Sequence, residues 1–138
     1  MVKIFIDSDV LLDFFFDREP FADDAEQILT LCEKNIISGT VTAVILSNMY
    51  YVLRKTASHQ QVIDSLQWLL QIVDVAAIDK LIVLQALQSS FTDFEDALQN
   101  FSAKTIPSLT TIVTRNITDY KESEISVLTP KAFLATLH

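Results

Sequence analysis

An apolar segment that ends abruptly in two carboxylates constrains the fold more than any other part of this sequence. Residues 2–6 read VKIFI, and Asp7 and Asp9 follow at once. Short runs rich in β-branched and aromatic residues are typical of buried strands. In open parallel α/β sheets, ligands bind beyond the carboxyl ends of the strands, where Asp7 would lie. Aspartate is also a good N-cap, so the alternative is that Asp7 only begins the next helix.

Length and composition indicate one domain, which we expect to span residues 1–138. Half of the residues are hydrophobic, and one Gly and three Pro leave few breaks, so helices should dominate and loops should be short. No apolar run reaches the roughly 18 residues of a membrane span, and the first residues lack the pattern of a signal peptide. The single cysteine, Cys32, excludes an internal disulfide and is expected in the core. These features predict a cytoplasmic protein with no membrane partner.

Apolar periodicity predicts strands and helices in alternation along the chain. Strands are expected over 2–6, 36–41, 73–78, 109–114 and 124–128, and helices over 21–36, 42–55, 59–72, 80–89 and 93–104, with a short helix opening at Pro130. The helix over 42–55 is apolar nearly all the way round and is predicted to be mostly buried. Such alternation predicts an α/β sandwich built on a parallel sheet.

Further acids are predicted to reach the same edge of the sheet as Asp7. Asp93 and Asp96 lie three residues apart on one face of a late helix, with Glu95 turned off that face. Asn116 and Asp119 follow the fourth predicted strand. Several carboxylates in one crevice repel each other and raise each other's pKa unless a cation lies between them. A bound divalent metal would explain such a cluster, although the acids could also be separate helix caps and solvated surface groups.

The ligand types indicate which metal and which chemistry such a site would support. Oxygen ligands without nearby His or Cys favour Mg²⁺ or Mn²⁺. These ions bind phosphate oxygens and activate water, so the residues point to metal-dependent phosphoryl or phosphodiester hydrolysis. The net charge of −8 argues against a protein that holds nucleic acid by broad phosphate neutralisation. A polyanionic substrate would therefore need local bases or metal ions.

Six segments together resemble a PIN domain, the nuclease fold of the toxins in VapBC-type toxin-antitoxin pairs. They occur in the family's order and span nearly the whole chain: FIDSDVLLD, DREPF at 17–21, VTAVILSNMYYVLRK, FEDALQ at 94–99, IVTRNITDY at 112–120 and SVLTPKAFL. The resemblance implies a three-layer α/β/α sandwich with a mostly parallel five-stranded sheet. It also implies an Mg²⁺- or Mn²⁺-dependent endoribonuclease that cuts single-stranded RNA, forms a homodimer and binds an antitoxin protein.

The resemblance also assigns roles to individual residues. Asp7, Asp96 and Asp119 would be catalytic acids that ligate the metal, with Asp93 as an additional ligand. Asn116 would help catalysis by positioning water or the metal's surroundings. Weaker or supporting roles fall to Asn48, Thr114, Ser8 and Asp9, and Arg115 is a candidate contact to the substrate.

One departure from the family pattern affects the expected activity. The pattern places a Glu on the middle helix, and this sequence has Asn48 there. An amide oxygen can ligate a metal but carries no charge, so metal affinity and activity are expected to fall.

Two alternatives to the nuclease remain at this stage. The first is a PIN-fold module that binds RNA or protein without cutting. The second is a phosphatase of the haloacid dehalogenase type, because Asp7-x-Asp9 after an apolar strand also resembles the first motif of that class. That class would need a downstream Lys and more chain than 138 residues easily provide.

Overall fold

One five-stranded parallel sheet forms the centre of the fold, as seen in a computed structural model that describes residues 1–137. The strands lie in the order β3-β2-β1-β4-β5, and each neighbouring pair is parallel. Their bounds are β1 (Val2–Ile6), β2 (Ile37–Thr42), β3 (Val73–Ala76), β4 (Leu109–Val113) and β5 (Ser126–Leu128). The strand order reverses beside β1, whose neighbours are β2 and β4. Such a reversal opens a crevice at the carboxyl ends of the strands.

Seven helices within residues 1–137 cover the two faces of this sheet. They are α1 (Ser8–Phe15), α2 (Ala22–Glu33), α3 (Ala43–Leu53), α4 (His59–Leu69), α5 (Lys80–Gln88), α6 (Phe94–Ala103) and α7 (Pro130–Ala135). Helices α1 to α4 and α7 contact one another, whereas α5 and α6 pair separately. Strands β1 to β3 follow one another in one direction across the sheet, and β4 and β5 lie on the other side of β1. Because crossovers between parallel strands are right-handed, the helices of crossovers that run in opposite directions lie on opposite faces of the sheet. The predicted α/β/α sandwich is confirmed, with a sheet that is parallel throughout.

The core is organised around β1, the central strand. Ile4, Phe5 and Ile6 are fully buried, because helices cover both faces of the sheet. Burying a side chain of this size contributes about 1.5–3 kcal/mol. This apolar support fixes the position of Asp7, which follows β1 directly.

Gly39 allows α2 to pack closely against the sheet. A Cβ atom at this position would lie 2.8 Å from Ile6 Cδ1 and 2.9 Å from Cys32 Sγ. Cys32 is buried, which confirms its predicted place in the core. Burial raises the pKa of its thiol to about 12, so the group stays protonated at neutral pH.

The structure corrects the prediction for the middle helix. Helix α3 buries only the stripe formed by Ile45, Met49 and Leu53, and Tyr51 is 68% exposed. The prediction of a mostly buried helix was wrong, because the face of α3 that carries Ala43, Ser47 and Tyr51 is exposed to solvent. Apolar residues thus remain on the surface beside the core stripe.

Element ends differ from the predicted ones where local backbone geometry stops a helix. Helix α2 ends at Glu33 rather than near Ile36, since Asn35 adopts a left-handed φ of 58°. The Asn35 N–H donates to the Cys32 carbonyl and the Ile36 N–H to the Leu31 carbonyl, both at 3.0 Å. These bonds form a Schellman motif, which satisfies carbonyls at the helix end.

Across residues 1–137, no helix combines the length and the apolar character that crossing a bilayer requires.

Candidate metal centre

Asp7 lies at the carboxyl end of β1 and accepts three hydrogen bonds. It caps α1, as the simpler alternative expected, because its Oδ1 accepts the Ser8 N–H at 2.8 Å. Its Oδ2 accepts hydrogen bonds from Thr114 Oγ1 at 3.0 Å and from the Tyr120 hydroxyl at 3.2 Å. Burial, followed by the charge of Asp9, raises the pKa of Asp7 to about 6. The Asp7 side chain therefore both caps α1 and belongs to the acidic site.

Asp9 joins α1 to the segment that follows β4. Its Oδ2 accepts from Thr114 Oγ1 at 3.2 Å, the Arg115 N–H at 3.0 Å and Asn116 Nδ2 at 3.1 Å. Its other oxygen, Oδ1, is buried and receives no hydrogen bond from residues 1–137. Burial is the main cause that raises the pKa of Asp9. An orphaned buried carboxylate oxygen is an unsatisfied acceptor that a cation or water could serve.

Asp96 lies in the first turn of α6, where several acids act on it. Asp93 caps this helix, and its Oδ1 accepts the Asp96 N–H at 2.9 Å. Partial burial raises the pKa of Asp96 to about 7, helped by the charges of Asp93, Asp7, Asp119 and Glu95 in that order. The charges of Asp7, Asp93 and Asp119, which were predicted to share the site, thus all act on Asp96.

These acids do not, however, crowd around a single point. Within residues 1–137, no three side chains of His, Cys, Asp or Glu lie close enough together to hold one ion by themselves. Mg²⁺ usually keeps several of its waters and needs only one or two protein carboxylates. The available donors are carboxylate, amide and hydroxyl oxygens, together with the orphaned Asp9 Oδ1. This donor set fits a hydrated hard cation.

Asn48 contacts an acid that was expected to point elsewhere. Its Nδ2 donates to Glu95 Oε2 at 2.7 Å, which joins α3 to α6. Glu95 therefore lies near the site, although helical spacing predicts that it points away from the face shared by Asp93 and Asp96. The predicted helical spacing was correct. The contact between α3 and α6 depends on tertiary packing, which the local sequence pattern does not show.

Tyr120 is a site residue that sequence reasoning missed. Its ring is 1% exposed, and its hydroxyl donates to Asp7. Burial and the charges of Asp7 and Asp96 hold its pKa far above the usual range, so it remains a hydrogen-bond donor. It ends a short 3₁₀ helix, Ile117–Tyr120, that also carries the exposed Asp119. Its position directly after Asp119 was the one available signal.

Arg115 has a partner that the sequence did not reveal. Its guanidinium donates to both oxygens of Asp13, through Nε at 2.5 Å and Nη2 at 3.0 Å. Asp13 is 1% exposed and also lies 3.6 Å from Arg18. The guanidinium carbon stands 4.1 Å from the centre of the Phe21 ring. Arg115 is thus held beside the acidic site by an ion pair and by aromatic contact.

The chain belongs to the PIN domain family, whose sequence pattern it matches over residues 3–118. This membership agrees with the resemblance found in the sequence and removes the haloacid dehalogenase alternative.

Individual relatives are similar over nearly the full length. The chain is 24% identical over 136 residues to ribonuclease VapC1 of Aquifex aeolicus (strain VF5), covering 95% of this chain and 92% of the relative. A toxin-antitoxin complex from Klebsiella pneumoniae contains a chain of similar fold, with 19% identity, a TM-score of 0.68 and coverage of 92% and 97%. VapBC2 from Rickettsia felis, bound to a promoter DNA fragment, gives 15% identity, a TM-score of 0.66 and coverage of 92% and 97%. At these identities the solved structures support the fold.

Proposed function

We propose that this protein is an Mg²⁺- or Mn²⁺-dependent endoribonuclease that cuts single-stranded RNA, and that it is the toxin of a VapBC-type pair. In this proposal residues 1–138 act as one domain in the cytoplasm. The observation that carries the proposal is the polar site at the carboxyl ends of β1 and β4, where Thr114 and Tyr120 donate to Asp7, Asn116 donates to Asp9, and one buried oxygen of Asp9 has no partner within residues 1–137. PIN family membership and the similarity to a VapC ribonuclease support the same conclusion.

Asp7, Asp96 and Asp119 would hold the metal, with Asp93 one turn away on α6. A divalent ion at such a site polarises the phosphate and lowers the pKa of bound water. The raised pKa values of Asp7 and Asp96 mean that ion and protons compete for the same oxygens. Metal binding should therefore strengthen as these carboxyl groups lose their protons.

The remaining polar residues would orient the acids. Thr114 and Tyr120 donate to Asp7 and fix its second oxygen. Asn116 is held by Asp9 and is placed to position water beside the acids. Ser8 contributes its backbone N–H, which fixes the first oxygen of Asp7.

Arg115 would contact the RNA backbone beside the acids. A guanidinium has five N–H donors, and Asp13 uses those on Nε and Nη2. The side chain is 26% exposed, so donors remain for a phosphate oxygen. Such a contact would place the substrate without conferring sequence specificity.

We further propose an antitoxin partner and a homodimer. The similar structure from Klebsiella pneumoniae is a toxin-antitoxin complex, and the one from Rickettsia felis is VapBC2 bound to a promoter DNA fragment. Leu81, Leu84 and Leu87 on α5 are 63%, 41% and 64% exposed, an apolar face that a second chain would cover.

The test is cleavage of labelled single-stranded RNA by the purified protein with Mg²⁺ or Mn²⁺, compared with the same reaction in excess chelator and with duplex RNA. We expect metal-dependent cleavage of the single strand. RNA binding without cleavage at millimolar metal would contradict the enzyme and support a non-catalytic PIN module. Cleavage that persists in the chelator would contradict the metal site.

A further inference from the structure

A cavity of about 610 Å³ opens beside Arg115, where β4 and β5 end. Its walls come from the start of α2, from the segment after β4, and from Thr129, Pro130 and Lys131 at the start of α7. Open parallel sheets bind ligands at this edge, and small-molecule sites have volumes of roughly 300–1,000 Å³. The acids assigned to the metal do not line this cavity, so it is separate from the proposed metal site.

Basic side chains distinguish this cavity from its neighbours. Arg115 and Lys131 lie in its walls, whereas the linings of four other surface cavities within residues 1–137 contain no lysine or arginine. Because the whole chain carries a net charge of −8, positive charge at one cavity is a local exception. An anionic ligand would be attracted to this cavity and repelled by most of the remaining surface.

Arg115 is held in a fixed position at the cavity. The buried Asp13 accepts from its Nε and Nη2, and Arg18 lies 3.6 Å from the same carboxylate. Two arginines therefore share one negative charge, which leaves positive charge beside the cavity. The guanidinium carbon stands 4.1 Å from the centre of the Phe21 ring, and Phe21 is 38% exposed. Nucleobases stack on such aromatic rings and guanidinium planes.

The distribution of charge indicates how a nucleotide would lie in this cavity. Asp23 and Asp24 belong to the α2 wall and would repel a phosphate group. Phe21, the N-cap of α2, belongs to the same wall. Lys131 comes from the α7 wall and would attract a phosphate together with Arg115. The phosphate is therefore expected beside the two bases, with the nucleobase against Phe21.

We propose that this cavity is a subsite for one nucleotide of the RNA, next to the phosphodiester that is cut. Arg115 and Lys131 bind its phosphate, and its base stacks on Phe21. The inference rests on the proposed nuclease and adds a place where the protein contacts a base. Stacking tolerates any base, so the subsite positions the strand without selecting a sequence. A base can enter only if it is unpaired, which accounts for a preference for single-stranded RNA.

The test compares the binding of AMP with that of ribose 5-phosphate, which lacks the base, in excess chelator. Titration calorimetry gives the affinities, and NMR shows whether the amide signals of Phe21, Gln27 and Lys131 shift. AMP should bind about 10-fold more tightly than ribose 5-phosphate because of stacking. Phe21→Ala should lower the affinity for AMP to that for ribose 5-phosphate, and Phe21→Tyr should keep the difference. Lys131→Gln should weaken both ligands by a similar factor.

The control is Tyr51→Ala, which removes an exposed aromatic ring from α3 and should bind both ligands as the wild type does. If Phe21→Ala does not fold, Phe21→Leu removes the aromatic face and keeps an apolar side chain. Equal affinity of the wild type for AMP and ribose 5-phosphate overturns the inference, and so does a preference for AMP that survives the loss of the Phe21 ring.

The subsite and the nuclease can fail separately. RNA cleavage by a protein that binds AMP no better than ribose 5-phosphate refutes the subsite and leaves the proposed function standing. AMP binding at the cavity by a protein that cleaves no RNA refutes the nuclease and leaves a nucleotide-binding site. AMP that shifts only amide signals outside the cavity refutes the location.

Discussion

Two aspartates one turn apart on α1 have opposite electrostatic surroundings. Asp13 is buried and paired with Arg115 and Arg18, so its charge is compensated. Asp9 accepts its hydrogen bonds from Thr114, the Arg115 N–H and Asn116, and one of its oxygens has no partner within residues 1–137. The fold can therefore neutralise an acid at this end of α1. The charge of Arg115 also acts on Asp9, but the orphaned oxygen of Asp9 remains the place where the proposed cation would bind.

The largest expected effect comes from neutralising Asp7 or Asp96, two acids of the proposed metal site. Asp7→Asn and Asp96→Asn should each lower the rate of RNA cleavage by more than about 100-fold, because metal stabilisation of the transition state is worth several kcal/mol. Both variants should stay folded. Asp96→Asn should melt no lower than the wild type without metal, since it removes repulsion, whereas Asp7→Asn loses an oxygen that accepts from Thr114 and Tyr120 and should melt somewhat lower. Asp74→Asn, on the exposed edge strand β3, is the matched control. Cleavage at the wild-type rate by either site variant would refute the assigned roles.

The stability of the folded protein should depend on Asp13, the aspartate that is paired with arginines. Asp13→Ala should lower the free energy of unfolding by about 3 kcal/mol, because breaking a buried ion pair leaves Arg115 without its partner. Urea denaturation of this variant and of Asp74→Ala would measure the difference. A loss no greater than that of the control would mean that Asp13 is not a structural ion-pair residue.

Metal bound at the proposed site should stabilise the folded protein. At roughly 100 times its dissociation constant, Mn²⁺ should add about 2.7 kcal/mol to the free energy of unfolding. The midpoint of thermal melting should rise accordingly in the wild type and in Asp13→Asn, and not in Asp96→Asn. An equal rise in Asp96→Asn would place the metal elsewhere.

The smallest expected effect is a pH dependence of the metal-free protein. The folded-state pKa values of Asp7 and Asp96 are raised to about 6 and about 7, so the folded state binds extra protons between pH 4 and 7. Stability should fall as pH rises through this window, by on the order of 1 kcal/mol for the half-exposed Asp96 after screening by water. Melting curves of Asp96→Asn should show a shallower fall. An unchanged slope would show that Asp96 is not perturbed.

Local patterns were enough to predict the fold but not all of the contacts in the site. Strand β1, the alternation of elements and the acids that follow strands are local features, and their meeting follows from the parallel sheet. The pairing of Arg115 with Asp13 and of Asn48 with Glu95 depends on how helices pack, over 102 and 47 residues of sequence. Tyr120 was missed for the same reason, because its contacts with Asp7 and Phe91 join residues that are far apart in the sequence. The assigned catalytic and metal-binding roles stay predictions.

The bond between Thr114 and Asp7 also has a consequence for synthesis of the protein. These two residues are 107 positions apart, yet each directly follows one of two adjacent strands, β1 and β4. A chain growing on the ribosome has its amino-terminal acids long before it has the strand that orders them. An unfinished chain that stops short of β4 cannot assemble the pocket, and so the proposed hydrolytic centre would arise only after β4 has been synthesised.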